Sequence, residues 1–173
     1  SKAPGSLQGL LFLDDDTQEN PVMPKAKLQA ATVGGSVDLV ESAFYEAMQT
    51  GDIDKLMGCW ADEEDIVCVH PGGGRLLGAG AIRAAFEALF ANGHIAVYPT
   101  QIHKVESLTS AVHSVIERIE VLTNEGPRQA QVMVTNVYHR TAQGWRMVAH
   151  HASPGAPVAE ATEIQASGPQ TLH

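Results

Sequence analysis

The fold is decided by two neighbouring stretches, TNVYHR at residues 135–140 and GWRMVAHHASP at residues 144–154. Apolar and polar residues alternate along both, and Gly144 closes the short gap between them. Period-two alternation on both sides of a glycine-containing turn is typical of a β-hairpin. Polar residues such as Asn136 and His151 lie within these strands, and a buried polar group without a partner costs about 1–3 kcal/mol. The pattern therefore predicts a strand pair whose inner face lines a polar pocket.

The whole chain has the size of one domain and the composition of an ordinary globular protein. It has 173 residues, 44% of them hydrophobic, which is enough to bury a core. Its formal charge is −9, and its 11 Lys and Arg residues are scattered. Nucleic acids and anionic membrane surfaces need clustered basic residues, so neither is an expected partner. Because no apolar run is long enough for a membrane span or a signal peptide, we expect a cytoplasmic protein.

The two ends of the chain differ from its middle. Proline and glycine interrupt residues 1–35 repeatedly, and residues 155–173 have a similar composition without any persistent period. Such ends are typical of flexible segments. The sequence thus predicts a flexible N-terminal arm at 1–35, one domain at 36–154 and a flexible C-terminal tail at 155–173.

Three helices are predicted in the first half of the domain. Ser36 and Asp52 are suited to cap the first and second helices, Gly51 is suited to end the first, and a third helix is expected from about residue 79 to residue 91. The apolar residues of each helix recur at helical spacing and predict a core-facing side. They are Val37, Val40, Phe44 and Met48; Ile53, Leu56, Met57 and Trp60; and Ile82, Phe86, Leu89 and Phe90.

Strands dominate the second half. One strand is expected among the helices at residues 66–70, and four more at 94–106, 111–123, 128–141 and 145–153, separated by glycine-containing turns. Helices followed by consecutive strands indicate an α+β fold, with the helices on one face of a curved antiparallel sheet. Such an arrangement encloses a conical space, which either is filled by side chains or holds a ligand.

Several short motifs, in this order and spacing, resemble the NTF2-like superfamily and its SnoaL-like and ketosteroid-isomerase-like branch. They are GDIDKL at 51–56, WAD at 60–62, GAGAIRAAF at 78–86, GWRMV at 144–148 and HAS at 151–153. The resemblance covers about residues 36–154. It implies a cystatin-like α+β roll, a cone-shaped antiparallel sheet wrapped by three N-terminal helices. It also implies a pocket at the wide end and a homodimer formed through the sheet. The family includes isomerases, dehydratases, polyketide cyclases and non-catalytic modules, so fold does not decide activity.

The resemblance to ketosteroid isomerases implies roles for individual residues. His70, before Pro71, takes the place of the aspartate that acts as general base, and histidine is a suitable base near neutral pH. Asn136 takes the place of an acidic hydrogen-bond donor to the enolate oxygen, and its amide can donate as well. The position of the family's tyrosine is occupied by Phe44. Tyr45 is about 100° further around the helix and is expected to face elsewhere. The usual steroid isomerisation is therefore not expected.

Strand periodicity adds further candidates for the pocket. His113 and Glu117 belong to the more apolar side of their strand, which predicts that both face inward. A buried Glu117 would be an acid–base candidate beside a histidine, while the alternative is a rim or dimer-face glutamate paired with an arginine. Strict alternation along 145–153 places His151 inward and His150 outward. The alternative for His151 is a core histidine that a neighbouring hydroxyl or carbonyl satisfies.

Aromatic residues, cysteines and histidines leave alternatives open. The aromatic residues Trp60, Phe86 and Phe90 are typical of a core, and some of them can form the apolar wall of a pocket. Cys59 and Cys68 are expected to be small buried residues, with a catalytic pair of Cys68 and a histidine as the alternative. The chain has eight histidines but no short metal-ligand spacing, so neither a metal nor another cofactor is predicted.

Two functions follow from this reading. The first is a cofactor-independent isomerase or lyase that binds a small apolar molecule, with His70 as general base and Asn136 stabilising an oxyanion. The second is a non-catalytic dimeric module for ligand or protein binding. The loss of the tyrosine donor at Phe44 favours the second, and the pair of polar residues within apolar strands favours the first.

Overall fold

A computed structural model of the protein describes residues 34–155. The arm predicted at 1–35 and the tail predicted at 155–173 lie outside the described residues, apart from Gly34, Gly35 and Gly155. Within the described range, three helices and six strands follow one another along the chain. They are α1 (Val37–Thr50), α2 (Ile53–Gly58), β1 (Val67–Val69), β2 (Arg75–Leu77), α3 (Gly78–Phe90), β3 (Val97–Glu106), β4 (Ser110–Thr123), β5 (Gly126–Thr141) and β6 (Gly144–Pro154).

The helices begin and end where local chemistry favours it. The Ser36 hydroxyl accepts a hydrogen bond from the backbone N–H of Leu39 at 3.2 Å and caps α1. Gly51 ends α1 in the left-handed region, with φ of 70°. The Asp52 carboxylate caps α2 by accepting from the N–H of Lys55 at 3.0 Å. Both predicted caps are confirmed, and no helix in the described part of the chain is long and apolar enough to cross a membrane.

The strands form a single six-stranded sheet in the order β2-β1-β6-β5-β4-β3. All neighbours are antiparallel except β1 and β6, which pair in parallel through Val67 and Ala149. The predicted α+β class with a curved sheet is confirmed. The short strand β2 was not predicted, since it has only three residues and follows the three glycines at 72–74. The parallel pair was not predicted either.

A β-bulge in the closing hairpin changes which side chains face inward. Val137 pairs with Ala149 but Tyr138 pairs with Met147, so one extra residue, Val148, stands in β6. The extra residue reverses the alternation beyond it, because successive side chains of a strand point to opposite faces. Met147 therefore faces inward before the bulge and His150 faces inward after it. The prediction that His151 faces inward is wrong, since its side chain is exposed.

The core lies between the three helices and the inner face of the sheet. Phe44 occupies its centre and meets the rings of Trp60 and Phe86 edge-on, with centroids 6.4 and 6.1 Å apart. Burial of Ile82 and Phe86 confirms the predicted inner side of α3. Leu89, also predicted to face inward, is 42% exposed and lies at the edge of the core. This edge is where the core opens into a cavity.

Candidate functional site

A cavity of about 280 Å³ lies between α1, α3 and the inner face of the sheet, and we call it the cone pocket. Its wall carries three ionisable side chains, His70, Glu117 and His150. Among the described residues, neither lysine nor arginine lines it. Small-molecule sites are typically apolar cavities with a few placed polar groups. The rest of the wall is apolar, apart from backbone, and consists of Met48, Pro71, Phe86, Leu89, Ile95, Val97, Ile119 and Ala152.

A buried hydrogen-bond chain connects two of the polar wall residues behind the pocket surface. Nδ1 of His150 lies 2.7 Å from Oδ1 of Asn136. The Asn136 amide donates to the hydroxyl of Tyr45 at 3.3 Å, and that hydroxyl donates to Oε1 of Glu117 at 2.9 Å. All four side chains are buried. The hydrogen bonds of this chain hold the rings and the carboxylate in fixed orientations, as buried networks do.

The environment of Glu117 adjusts its acidity toward neutral pH. The pKa of this carboxyl is raised to about 7, chiefly by burial and also by the negative charge of Glu41, against the opposing hydrogen bond from Tyr45. A general acid or base works best when its pKa is close to the working pH. Glu117 is therefore the wall residue whose protonation changes near neutrality.

The two histidines of the pocket are held in the neutral form. The pKa of His150 is lowered to about 3, chiefly by burial and also by the nearby His70 and His151. Burial also lowers the pKa of His70 from its ordinary value. A neutral imidazole presents one N–H donor and one bare nitrogen. Near neutral pH the pocket thus contains two neutral rings and one carboxyl group.

His70 lies on the wall as predicted, and its ring packs edge-on against Phe86 with a centroid distance of 4.9 Å. Its Nε2 lies 3.9 Å from the sulfur of Cys68. Cys68 is fully buried, and burial raises the pKa of its thiol to about 12. Because the thiolate is the nucleophilic form, the alternative of a catalytic Cys–His pair is not supported.

Asn136 is buried as predicted but does not reach the wall of the cone pocket. One end of its amide binds His150 and the other binds Tyr45. A donor that stabilises an oxyanion must contact the reacting oxygen directly. The geometry therefore gives Asn136 a positioning role behind the wall instead of the predicted contact with an oxyanion.

Tyr45 is the site residue that the sequence reasoning missed. We expected it to face away because it follows Phe44, but both side chains are buried. The buried side of α1 is wide: Phe44 packs toward Trp60 and Phe86, while Tyr45 reaches Glu117. The signal in the sequence is the spacing of Glu41 and Tyr45, one helical turn apart on a common face.

The other residues predicted for the pocket lie elsewhere. Phe44 is in the core, and Phe90 packs at its edge without lining the cone pocket. Trp60 lines a different depression of about 290 Å³ beside α2 and α3, and its indole nitrogen has no hydrogen-bond partner within the described residues. Phe86 and Glu117 do line the cone pocket. The position of Glu117 thus confirms the prediction of which side chains of β4 face inward.

His113 faces inward as predicted but belongs to a second polar cluster, formed with Glu41, Glu106 and Tyr138. Oε2 of Glu41 accepts from the Tyr138 hydroxyl at 2.8 Å and lies 2.9 Å from Nδ1 of His113. Nε2 of His113 lies 3.2 Å from Oε1 of Glu106. None of the four residues lines the cone pocket.

One group of potential metal ligands converges in the described part of the chain, namely Asp38, Glu106 and His113. Lys104 already binds Asp38 at 2.6 Å, and both ring nitrogens of His113 face carboxylates. These partners satisfy the group without an ion. Within residues 34–155, neither His70 nor His151 belongs to a group of potential metal ligands.

The fold and the pocket define a class of protein, and comparison of the sequence identifies its family. The SnoaL-like domain matches residues 37–158, well over half of the chain. The chain belongs to the SnoaL-like family, within the NTF2-like superfamily. Among proteins with curated descriptions, none matches the chain.

Solved structures agree with this assignment. One is a protein of Thiobacillus denitrificans described as a calcium/calmodulin-dependent protein kinase type II association domain: 33% identity, TM-score 0.64, covering 72% of this chain and 98% of that one. Another, described as a dehydratase of the NTF2-like family from Streptomyces avermitilis, shares 31% identity with a TM-score of 0.62 over 70% and 95% of the two chains. A protein of Caulobacter vibrioides with a cystatin-like fold is 17% identical, with a TM-score of 0.61 over 70% and 88%, and supports the fold alone.

Proposed function

We propose that the protein binds a small apolar molecule in the cone pocket and carries out acid–base chemistry on it without a cofactor, as an isomerase or lyase. One observation carries the proposal: Glu117, whose pKa burial raises to about 7, lies on the wall of an apolar cavity together with His70. A carboxyl group held this way accepts and returns a proton at neutral pH.

In this mechanism the ionised carboxylate of Glu117 removes a proton from an acidic C–H of the bound molecule. The electrons of that bond shift toward a neighbouring oxygen or expel a leaving group, and Glu117 holds the proton. In an isomerase the proton returns to another carbon, and in a lyase it leaves with the expelled group. His70, predicted as the base, is better suited to donate its one N–H to the developing negative charge, because burial keeps the ring neutral.

The similarity to the Streptomyces avermitilis protein supports this class of reaction. That protein is described as a dehydratase and shares 31% identity with this chain. Dehydration removes a proton and a hydroxyl group, which are the steps that a carboxyl group and a neutral histidine can assist. The specific substrate is a matter for experiment.

Native mass spectrometry of the purified protein would reveal a small molecule retained in the pocket and supply a substrate candidate. With that compound, we expect His70→Ala to lower turnover strongly, while the matched His103→Ala, an exposed histidine on β3, leaves it unchanged. Equal turnover in both variants would remove His70 from the mechanism. If the compound binds but replacing His70 or Glu117 does not affect its conversion, the proposed acid–base chemistry is wrong and only the proposed binding of a small molecule stands.

A second candidate is a non-catalytic association module that forms a homodimer through the sheet. The described residues leave apolar side chains uncovered on the outer face of the sheet, including Val105, 62% exposed, and Met133, 54% exposed. Register aligns Val105 with Val112, Val137 and Ala149 in one row across four strands. Exposed apolar side chains grouped on one face are typical of an interface. The Thiobacillus denitrificans protein is itself described as an association domain.

Analytical ultracentrifugation separates this candidate from a monomer. We expect the protein to sediment as a dimer and Met133→Glu to convert it to monomer, while Glu120→Gln, a polar change on the neighbouring strand, has no effect. A monomeric parent protein at micromolar concentration would contradict the dimer. The cytoplasmic location stays a prediction, which fractionation of the source cells can test.

A further inference from the structure

The buried chain behind the cone pocket has a fixed direction of hydrogen-bond donation when Glu117 is ionised. A carboxylate can only accept, so the Tyr45 hydroxyl gives its one proton to Oε1 of Glu117. The Tyr45 oxygen can then only accept from Asn136, which turns the amide NH₂ toward the tyrosine. The amide oxygen consequently faces His150, and Nδ1 of that ring carries the proton in their 2.7 Å contact.

The direction of this chain determines what His150 offers to a ligand. A neutral imidazole has one proton, and Nδ1 holds it, so Nε2 is a bare nitrogen with a lone pair. No hydrogen bond to Nε2 is found within residues 34–155, and His150 lines the cone pocket. Oε2 of Glu117 likewise has no hydrogen-bond partner among the described residues and belongs to the same wall. Both atoms accept hydrogen bonds.

The charges of the pocket agree with this arrangement. No Lys or Arg of residues 34–155 lines it, and its ionised group is the Glu117 carboxylate. An anionic ligand would be desolvated beside a like charge without a compensating cation, which is strongly unfavourable. An apolar ligand with a hydroxyl or N–H, by contrast, satisfies an acceptor that would otherwise lose its water.

We propose that the cone pocket selects neutral apolar molecules that carry a hydroxyl or N–H group, which donates to Nε2 of His150, and that it excludes carboxylates. This inference rests on the proposed binding function and adds the class of ligand. His150 and Glu117 thus present acceptors to a ligand donor, in addition to the N–H that the neutral ring of His70 can donate. Asn136 and Tyr45 are positioning residues in this scheme.

Three probes that share one ring system test the selection by isothermal titration calorimetry at about pH 8, where Glu117 is mainly ionised. They are 2-naphthol, 2-methoxynaphthalene and 2-naphthoate. We expect 2-naphthol to bind about tenfold more tightly than 2-methoxynaphthalene, because the ether leaves the buried acceptor unpaired. We expect no measurable binding of 2-naphthoate.

His150→Phe keeps a ring of similar shape but removes the acceptor, so we expect the preference for naphthol over its ether to disappear. His151→Phe, on the adjacent exposed position, is the matched control and should keep the preference. Should His150→Phe fail to fold, ¹⁵N NMR of the ring nitrogens in the parent protein provides an independent test. We expect the proton on Nδ1, and a proton on Nε2 would overturn the inference.

The remaining outcomes separate the inference from the function on which it rests. Equal affinity for 2-naphthol and its ether would contradict the inference but would still support a binding site for small apolar molecules. Binding of 2-naphthoate that is tighter than binding of the two neutral probes would also contradict the inference while supporting a binding site. Binding of none of the three probes would overturn both the inference and the proposed binding of small apolar molecules.

Discussion

The cone pocket and the second polar cluster contain the same kinds of residue but serve different purposes, the proposed ligand binding in the pocket and packing in the cluster. Each contains a buried glutamate that accepts from a tyrosine hydroxyl. In the cluster, Glu41 also binds His113 directly. In the pocket, Glu117 is connected to His150 through Tyr45 and the Asn136 amide. In the cluster, both nitrogens of His113 have carboxylate partners, and none of the cluster's residues lines the cone pocket. In the pocket, a carboxylate oxygen and a ring nitrogen are left without a described partner beside a cavity of about 280 Å³.

The comparison teaches that composition does not distinguish a structural network from a functional one. What differs is whether an acceptor without a described partner lies beside the cone pocket. The second cluster, in which both nitrogens of His113 are paired, joins α1, β3, β4 and β5 and fixes their packing. A network with acceptors on the wall of a cavity can bind a ligand donor there, and placed polar groups in an apolar cavity are the usual form of a small-molecule site.

The largest contrast is expected in activity. With a substrate in hand, Glu117→Gln should lower turnover by about 10²–10⁴-fold, the usual contribution of a general acid or base. Glu41→Gln should reduce it far less, because Glu41 does not line the pocket. Steady-state kinetics on both variants measure this difference, with Glu120→Gln on the outer face of β4 as control. Comparable losses in the two buried variants would abolish the distinction.

Stability should show the reverse preference. Glu41→Leu removes the acceptor of both Tyr138 and His113 and should lower the free energy of unfolding by about 3–5 kcal/mol. Urea denaturation measures the loss. Glu46→Leu is the control on the same helix: it removes an exposed pair with Lys55 and should change stability by less than about 1 kcal/mol. A loss below 1 kcal/mol for Glu41→Leu would show that the second cluster has no structural role.

The pH dependence of stability should be specific to the pocket. The pKa of Glu117 is raised from 4.5 to about 7 in the folded protein, so the folded state keeps a proton that the unfolded chain releases between these values. Its favourable contribution is fully present below about pH 4.5 and is lost as pH rises through 7. Relative to the parent protein, Glu117→Gln should therefore gain roughly 3 kcal/mol between pH 4 and pH 8.

Thermal or urea unfolding of the two proteins across this pH range provides the measurement. Glu120→Gln serves again as control and should run parallel to the parent protein. A constant difference between Glu117→Gln and the parent at every pH would mean that Glu117 has an ordinary pKa when folded.

The smallest effect is expected at the solvent side of the second cluster. Glu106 meets Nε2 of His113 at 3.2 Å, but its side chain is 49% exposed. Water can replace it, so Glu106→Gln should cost less than about 1 kcal/mol by urea denaturation. A cost as large as that of Glu41→Leu would show that the cluster depends on its outer carboxylate as much as on its buried one.

Most of the fold was predictable because its signals are local and periodic. The caps at Ser36 and Asp52 and the phase of β4, which places Glu117 inward, each follow from neighbouring residues and are confirmed. The site was less predictable. His150 replaced His151 because of the bulge at Val148, which depends on how β5 and β6 pair and leaves no mark in the alternation of one strand.

Tyr45 shows a second limit of the sequence. A narrow apolar stripe through Phe44 predicted one inner side of α1, whereas the curved sheet and the two flanking helices bury a wider one. Only the sheet supplies the partner that makes a buried tyrosine acceptable there, since Glu117 is 72 residues away along the chain. Long-range pairing of polar groups is what the sequence alone could not reveal.

The most direct test is a ¹³C NMR titration of the glutamate side-chain carboxyls in the parent protein and in Glu117→Gln. The resonance that disappears in the variant identifies Glu117, and it should titrate near pH 7 in the parent protein. A Glu117 resonance that titrates near the ordinary value of 4.5 would contradict the account, because Glu117 would then not be suited to accept and return a proton at neutral pH.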